Sequence, residues 1–409
     1  MAEFSVDPNV SLYADRTAGM TASEVRALFA VASRPEVISL AGGMPYVQAL
    51  PQQDILDVMT KVVTERGSLA LQYGGGLGQI TLREELSSLM AEEGIPAADP
   101  EQICVTVGGS QALDILGKIF INAGDQIAVE APTYVGAISA FSAYEPQYIS
   151  VRMDDDGMVV DELEEALLAG ARPKFVYTIP NFQNPAGVTL SHARRERLVA
   201  LCHDAAIPIV EDNPYGMLRF EGEPLPTLKS LDPHNVIYVG SLSKVFAAGI
   251  RIGWAYADSG VLQRFLPAKE AADLCTSNLT QLIAEEYMGG ERWRVNLSTL
   301  VDTYRRRRDV CVKALEEHFP DGSTWTHPEG GFYVWVTIPE HLDSKALLAA
   351  AVDRLVAYVP GTAFYTDGRG TNQLRLAFCY PPEDDVAEGI RRLAELLKDE
   401  EKLYRSLTS

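Results

Sequence analysis

Lys244 stands in the segment Ser241-Leu242-Ser243-Lys244-Val245-Phe246-Ala247-Ala248-Gly249-Ile250-Arg251, directly after an apolar, β-branched run at 235–240. A run of that kind reads as a buried strand, so the lysine comes just past a strand's carboxyl end. A primary amine there can form an imine with a carbonyl, provided its surroundings keep it from being permanently charged. Ser241, Ser243 and Arg251 add hydroxyls and a planar guanidinium, groups that hold a phosphate through charge-assisted hydrogen bonds. A lysine beside a phosphate cradle is what a pyridoxal phosphate site needs. A Ser-x-Ser-Lys turn is common in itself, so the reading depends on what the fold brings next to it.

The elements that position this segment begin near residue 102, where strand and helix patterns alternate. Strands are predicted at 102–107, 126–130, 148–151, 175–179 and 207–211, with helices at 112–120, 161–169 and 191–204. That alternation implies a mostly parallel sheet with helices on both faces, an α/β fold whose ligands sit outside the carboxyl ends of the strands. Those ends carry Gly109 and Ser110, Tyr134, the stretch 181–184, Asp212 with Tyr215, and the lysine segment itself. The turn Gly108-Gly109-Ser110-Gln111 also opens a helix, whose free N–H groups and positive end favour a phosphate.

Upstream, a helical pattern at 21–32 carries Arg26, read by default as a solvated surface residue. A short strand follows and runs into Gly42-Gly43-Met44-Pro45, where glycine lets backbone approach a ligand. Leu71-Gln72-Tyr73-Gly74-Gly75-Gly76-Leu77-Gly78 is a flexible loop with one aromatic, placed before a helix at 81–90. Helical patterns dominate from 259 to about 319 and include Arg305-Arg306-Arg307-Arg308, which should fan out to acidic neighbours or solvent. Strands at 332–336 and 374–378, with helices near 344–354 and 384–398, suggest a smaller α+β domain completed by the N-terminal segment. The expected division is a large domain at 46–294 and a small one at 1–45 with 295–409.

Composition narrows the classes of function. A net charge of −21 over 409 residues argues against nucleic acid or an anionic membrane surface as partner. Five cysteines without CxxC spacing suit a reducing compartment. No apolar run reaches the roughly 18 residues needed to span a bilayer. No secretory leader is apparent, so a cytoplasmic protein is expected. The six histidines form no close pair, and no metal site is expected.

Taken as an ordered set, these residues resemble the pyridoxal phosphate enzymes of fold type I, in the class I aminotransferase group. The matching positions are Tyr73, Gly109-Ser110-Gln111, Tyr134, Asn181-Phe182-Gln183-Asn184-Pro185-Ala186-Gly187, Glu211-Asp212-Asn213-Pro214-Tyr215, Ser241-Leu242-Ser243-Lys244 with Arg251, and Arg375. Within that group the chain looks most similar to 2-aminoadipate and aromatic aminotransferases. The resemblance implies that Lys244 binds the cofactor covalently and then moves the proton at the substrate α-carbon. It implies that Asp212 pairs with the pyridine nitrogen, that Asn184 and Tyr215 donate to the ring's phenolate oxygen, and that Tyr134 stacks on the ring. Gly109, Ser110, Gln111, Ser241, Ser243 and Arg251 would surround the phosphate, with Tyr73 reaching it from the other subunit of a homodimer. Arg375 would clamp the substrate carboxylate, aided by Asn184 and by Gly43, and Arg26 would meet an acidic substrate side chain.

The expected reaction moves an amino group from an amino acid to a 2-oxo acid such as 2-oxoglutarate. Tyr13, Tyr46 and Phe182 are expected near a pocket for an aromatic or long aliphatic side chain. Two stretches depart from the family's pattern, Ala247-Ala248 where proline is usual and Thr276-Ser277-Asn278 where Thr-Pro is frequent. Both are expected beside the substrate and would bear on its choice. The rivals are another cofactor-dependent reaction on the same scaffold (decarboxylation, replacement, oxidation or carbon–carbon bond formation) and an aminotransferase-like sensor in a regulator. The acidic charge, and motifs that begin within the first fifty residues, weigh against the regulator.

Overall fold

A computed structural model describes residues 7, 9–20, 34–96 and 98–408. The predicted helix at 21–32, and Arg26 with it, lies outside the described residues. One sheet of eight strands runs in the spatial order Ile103–Thr106, Gly253–Tyr256, Val236–Ser241, Ile209–Asp212, Val176–Thr178, Gln126–Ala131, Gln147–Asp154, Gly157–Met158. The pairings from Val236–Ser241 across to Gln147–Asp154 are all parallel. Gly253–Tyr256 is inserted antiparallel between Ile103–Thr106 and Val236–Ser241. Strand–helix alternation does not anticipate that insertion, because this strand returns directly from the lysine turn with no crossover helix.

Buried side chains on the parallel strands alternate between two apolar layers, as a period of two requires. Ala128, Val176, Ile209 and Val236 pack with Leu163, Leu198 and Cys202 of the helices Val160–Leu168 and His192–Asp204. Their neighbours Val129, Tyr177, Val210 and Ile237 face the opposite layer with Leu113 and Leu116 of Gly109–Phe120 and Phe265 of Ser259–Asp273. Helices on both faces leave only the strand ends open to a ligand.

The remaining strands form a four-stranded antiparallel sheet in the order Thr324–Trp325, Tyr333–Thr337, Gln373–Ala377, Val359–Pro360. Ile38–Ser39 pairs in parallel with Val356–Ala357, and the Ala377 N–H donates to the Leu40 carbonyl, so the N-terminal segment joins this second sheet. The helix Glu291–His318 packs against Glu383–Thr408, which runs ten residues beyond its predicted end at 398. The helix Gln52–Ala70, which no sequence pattern above anticipates, carries exposed Leu56, Met59 and Val63 on one face.

Three of the four arginines meet acids, as expected. Arg305 and Arg306 pair with Asp302 and Glu383. Arg307 and Arg308 are buried and donate to the carbonyls of Cys379 and Pro328; Arg308 also pairs with Glu221 and Asp309, while Arg307 lies over the Tyr46 ring at 4.1 Å. A guanidinium survives such burial because carbonyl oxygens and an aromatic face replace the water it loses.

Candidate active site

A cavity of about 660 Å³ opens at the carboxyl ends of the parallel strands and reaches across to the second sheet. Gly43, Gly109, Ser110, Tyr134, Asn184, Asp212, Tyr215, Ser241, Ser243, Lys244, Arg251 and Arg375 all line it. Segments from residue 43 to residue 375 thus converge on one space.

Asp212 is the last residue of Ile209–Asp212 and Ser241 the last of the adjacent parallel strand Val236–Ser241. Strand register therefore puts the carboxylate and the lysine turn side by side. Asp212 is only 5% exposed, and the Tyr177 hydroxyl donates to its Oδ2 at 2.8 Å. Burial pushes its carboxyl up to about 7, against the opposing pull of the Tyr177 hydrogen bond and the Lys244 charge. Burial also brings Lys244 down to about 8. Its Nζ donates to the Gly43 carbonyl at 2.9 Å. A lysine so placed reaches its neutral, nucleophilic form roughly two pH units below a solvated one.

The phosphate-cradle candidates meet at the start of the helix Gly109–Phe120. Arg251 adopts a left-handed backbone (φ 55°, ψ 48°), and its guanidinium donates to Ser243 Oγ at 3.4 Å and to the carbonyls of Ala248 and Val107 at 3.2 Å. The glycine this packing requires is Gly108, with φ 72° and an added Cβ only 2.5 Å from the Arg251 guanidinium. Gly109 itself would meet only Val239, at 3.7 Å. Gln111 lines no part of the cavity: its amide accepts from the Val107 N–H at 2.7 Å and donates to Asp273 at 2.8 Å. Those two bonds make the Gln111 side chain a staple that holds the turn before the helix.

At the other end, Arg375 is 3% exposed and donates to Asn184 Oδ1 at 2.8 Å and to the Ala41 carbonyl at 2.7 Å. Its Nε is buried without a partner among the described residues. Accepting from Arg375 orients the Asn184 amide so that its NH₂ remains to donate elsewhere. Gln183 holds the Asn184 turn by accepting from the Ala186 N–H and donating to Glu130 and the Pro132 carbonyl. Tyr333 closes this end. Its ring lies 4.2 Å from the Arg375 guanidinium, and its hydroxyl takes a 3.4 Å hydrogen bond from Tyr215. Tyr134 is buried against Ser110, which hydrogen-bonds its phenol, and burial raises that phenol to about 12.

Several expected residues lie elsewhere. Tyr73 is 76% exposed and outside this chain's cavity. Phe182 is buried beneath Arg219, Tyr46 lies under Arg307, and Tyr13 is exposed with its hydroxyl on Asp7. None of the three lines the cavity, whose aromatics are Tyr134, Tyr215 and Tyr333. Of the two unusual stretches, Ala248 reaches the cavity wall. Asn278 instead clamps the glycine loop through the carbonyls of Leu69 and Gln72 and through Gln79, away from the cavity. Sequence reasoning missed Tyr177 and Tyr333. The run Gly330-Gly331-Phe332-Tyr333 carried a usable signal for the last, paired glycines entering an aromatic strand.

Comparison with known proteins agrees with this geometry. The family model described as aminotransferase class I and II matches residues 35–393. An aromatic-amino-acid aminotransferase of Thermococcus litoralis is 45% identical over 95% of both chains. A 2-aminoadipate transaminase of Thermus thermophilus is 35% identical over 92% of this chain and 94% of its own. The crystal structure of a Pyrococcus horikoshii kynurenine aminotransferase with PMP superposes with a TM-score of 0.91, at 43% identity over 95% of this chain and 98% of that one. A lysine facing a buried carboxylate at parallel strand ends, and relatives aligned along nearly the whole chain, lead to one conclusion: this is a pyridoxal phosphate-dependent enzyme of the class I and II aminotransferase family.

Proposed function

We propose that the enzyme transaminates aromatic and long-chain amino acids, 2-aminoadipate-like ones included, with 2-oxoglutarate as an amino acceptor. The observation that carries this reading is the apolar part of the cavity wall. It consists of Met44, Pro45, Leu113, Val135 and Ala140 beside Tyr134 and Tyr333, an apolar surface that takes up extended side chains. The two curated relatives named above point the same way.

The residues present fit pyridoxal phosphate. Ser110, Ser241, Ser243, Arg251 and the N–H groups at the start of Gly109–Phe120 match a phosphate. Asp212 offers a buried carboxylate whose Oδ1 has no hydrogen-bond partner among the described residues. When bound, the cofactor supplies a protonated ring that draws off the electrons of a breaking bond at the substrate α-carbon. Asp212 would keep the ring nitrogen protonated, Tyr134 would support the ring, and Asn184 and Tyr215 would hold its phenolate oxygen. Lys244 Nζ would take the proton from the α-carbon and hand it back on the same face, the one the lysine occupies. Arg375 receives the substrate carboxylate, where its buried, unpartnered Nε leaves bonding capacity unused. The Gly43 carbonyl, which accepts from Lys244, brings the N-terminal segment against the substrate.

We assign Arg26 to the acidic side chain of the acceptor, and Gln111 to the phosphate site through its turn alone. The working form is a cytoplasmic homodimer in which the exposed Tyr73 of one protomer completes the phosphate site of its partner. The division into a large domain at 46–294 and a small one at 1–45 with 295–409 would let the two sheets close on substrate. Among the described residues, no helix is long and apolar enough to cross a membrane.

The test is a screen of amino acids against the loaded enzyme, read by the cofactor's absorbance. Phenylalanine, tyrosine, kynurenine and 2-aminoadipate should discharge the starting band, and 2-oxoglutarate should restore it. Preference for aspartate over every aromatic substrate, or turnover with no oxo-acid acceptor, would sink the proposal.

A further inference from the structure

Tyr177 occupies the middle of Val176–Thr178, the strand hydrogen-bonded in parallel to Ile209–Asp212. Its side chain is fully buried, with the Phe141 ring edge-on at 5.5 Å. Its hydroxyl has one recorded use, the 2.8 Å bond to Asp212 Oδ2. No other group among the described residues donates to that carboxylate, although Asp212 lines the cavity and lies opposite Lys244. A buried carboxylate without a direct cationic partner depends on its donors to stay charged. A single donor on one oxygen also fixes the carboxylate plane, and with it the direction in which the other oxygen points.

We propose that Tyr177 is a positioning residue for transamination: its phenol fixes the orientation and charge of Asp212, which in turn holds the proton on the cofactor's ring nitrogen. The proposal rests on the role given to Asp212 above. Tyr177 is suited to this task because burial and the adjoining Asp212 charge raise its own phenol well above its ordinary range. It therefore remains a donor throughout the pH range in which the enzyme works. Tyr177 does not line the cavity, so it acts on the cofactor only through Asp212.

The experiment compares Tyr177→Phe and Asp212→Asn with the wild-type holoenzyme. Tyr177→Phe deletes one oxygen from a packed ring and leaves the cavity lining unchanged. Expected for it are a fall in kcat of roughly 10- to 100-fold with KM for the amino donor unchanged within about twofold. The dissociation constant for pyridoxal phosphate rebinding to the apoenzyme should rise about tenfold. The pH midpoint of the holoenzyme's visible absorbance should also move, in the same direction as in Asp212→Asn and by less. A variant with wild-type kcat, cofactor affinity and spectral midpoint would overturn the proposal, and so would a loss confined to melting temperature. If Asp212→Asn collapses activity while Tyr177→Phe matches wild type, the Tyr177 proposal alone fails. If both variants match wild type, the role of Asp212 fails and takes this proposal with it.

Discussion

The floor of the cavity and its Arg375 end draw on the chain in different ways. Asp212, Ser241 and Lys244 come from two adjacent parallel strands and the turn that follows one of them. Tyr333 and Arg375 come from two paired strands of the second sheet, and Gly43 and Asn184 from two further segments, all tied to one another and to the floor by hydrogen bonds. The floor is fixed by the register of one buried sheet. The other end is fixed only when the second sheet docks, so its geometry depends on tertiary contacts that can shift. Bond-breaking chemistry suits the first construction and substrate selection the second. The two ends should accordingly fail differently when altered.

The largest effect is expected at the floor. Lys244→Ala should lower kcat by about 10⁴-fold or more, because the nucleophile and the proton-transfer base are lost together. Steady-state assays with exogenous amines as a control would check it, and wild-type turnover would remove the floor from the chemistry. Arg375→Lys should act mainly on binding, since an ammonium cannot reproduce a two-point fork. We expect kcat/KM to fall roughly 10- to 100-fold, with most of the change in KM. A change confined to kcat would erase the contrast between the ends.

The same contrast explains what could be read from the sequence. The floor was legible because strand ends in an alternating α/β chain are where ligands bind, so Asp212, Ser241 and Lys244 could be placed from periodicity alone. Arg375 gave no local signal; only the ordered likeness to a family singled it out. At Gln111 motif position does not say where a side chain turns, and two hydrogen bonds turn it away from the cavity. Phe182 misled for a related reason: it sits in a motif beside Asn184, yet the chain reverses there with φ 49° and sends the ring into the core. Tyr177 was invisible because a buried strand tyrosine looks like core until its hydroxyl is traced to an acid. Arg307 shows the converse, a charge that reads as surface but is satisfied inside by carbonyls.

A smaller effect should follow Gly43→Ala, which tests how much slack the docked end has. An added Cβ would stand 1.8 Å from the Tyr333 hydroxyl oxygen, so ring or backbone must move. The Gly43 carbonyl accepts from Lys244 and the Tyr333 hydroxyl from Tyr215, so the shift reaches the floor through these contacts and not by direct collision with Asp212 or Lys244. We expect KM to rise about tenfold with a smaller change in kcat. A variant with unchanged KM would mean that the second sheet yields freely and does not shape the substrate site.

The smallest effect concerns stability and asks whether the floor carries an electrostatic cost that the Arg375 end avoids. Behind Asp212, Asn213 and Tyr238 donate to Glu93 at 3.0 and 2.6 Å, and no cation joins them among the described residues. Burial pushes the Glu93 carboxyl up to about 7, although the residue as a whole keeps some exposure. In the unfolded chain the same group titrates near ~4.3. Between those values the folded state binds a proton that the unfolded state has released, so stability falls as pH rises through that window. Glu93→Gln has no proton to lose and should flatten the slope, by an amount on the order of 1 kcal/mol given the partial exposure. Urea unfolding of both proteins at pH 5 and pH 8 would check this. Wild type should lose more stability than the variant on going to the higher pH. Equal losses would mean that hydrogen bonds from Tyr238 and Asn213 offset the whole cost of the buried charge, leaving the floor no more strained than the end built around Arg375.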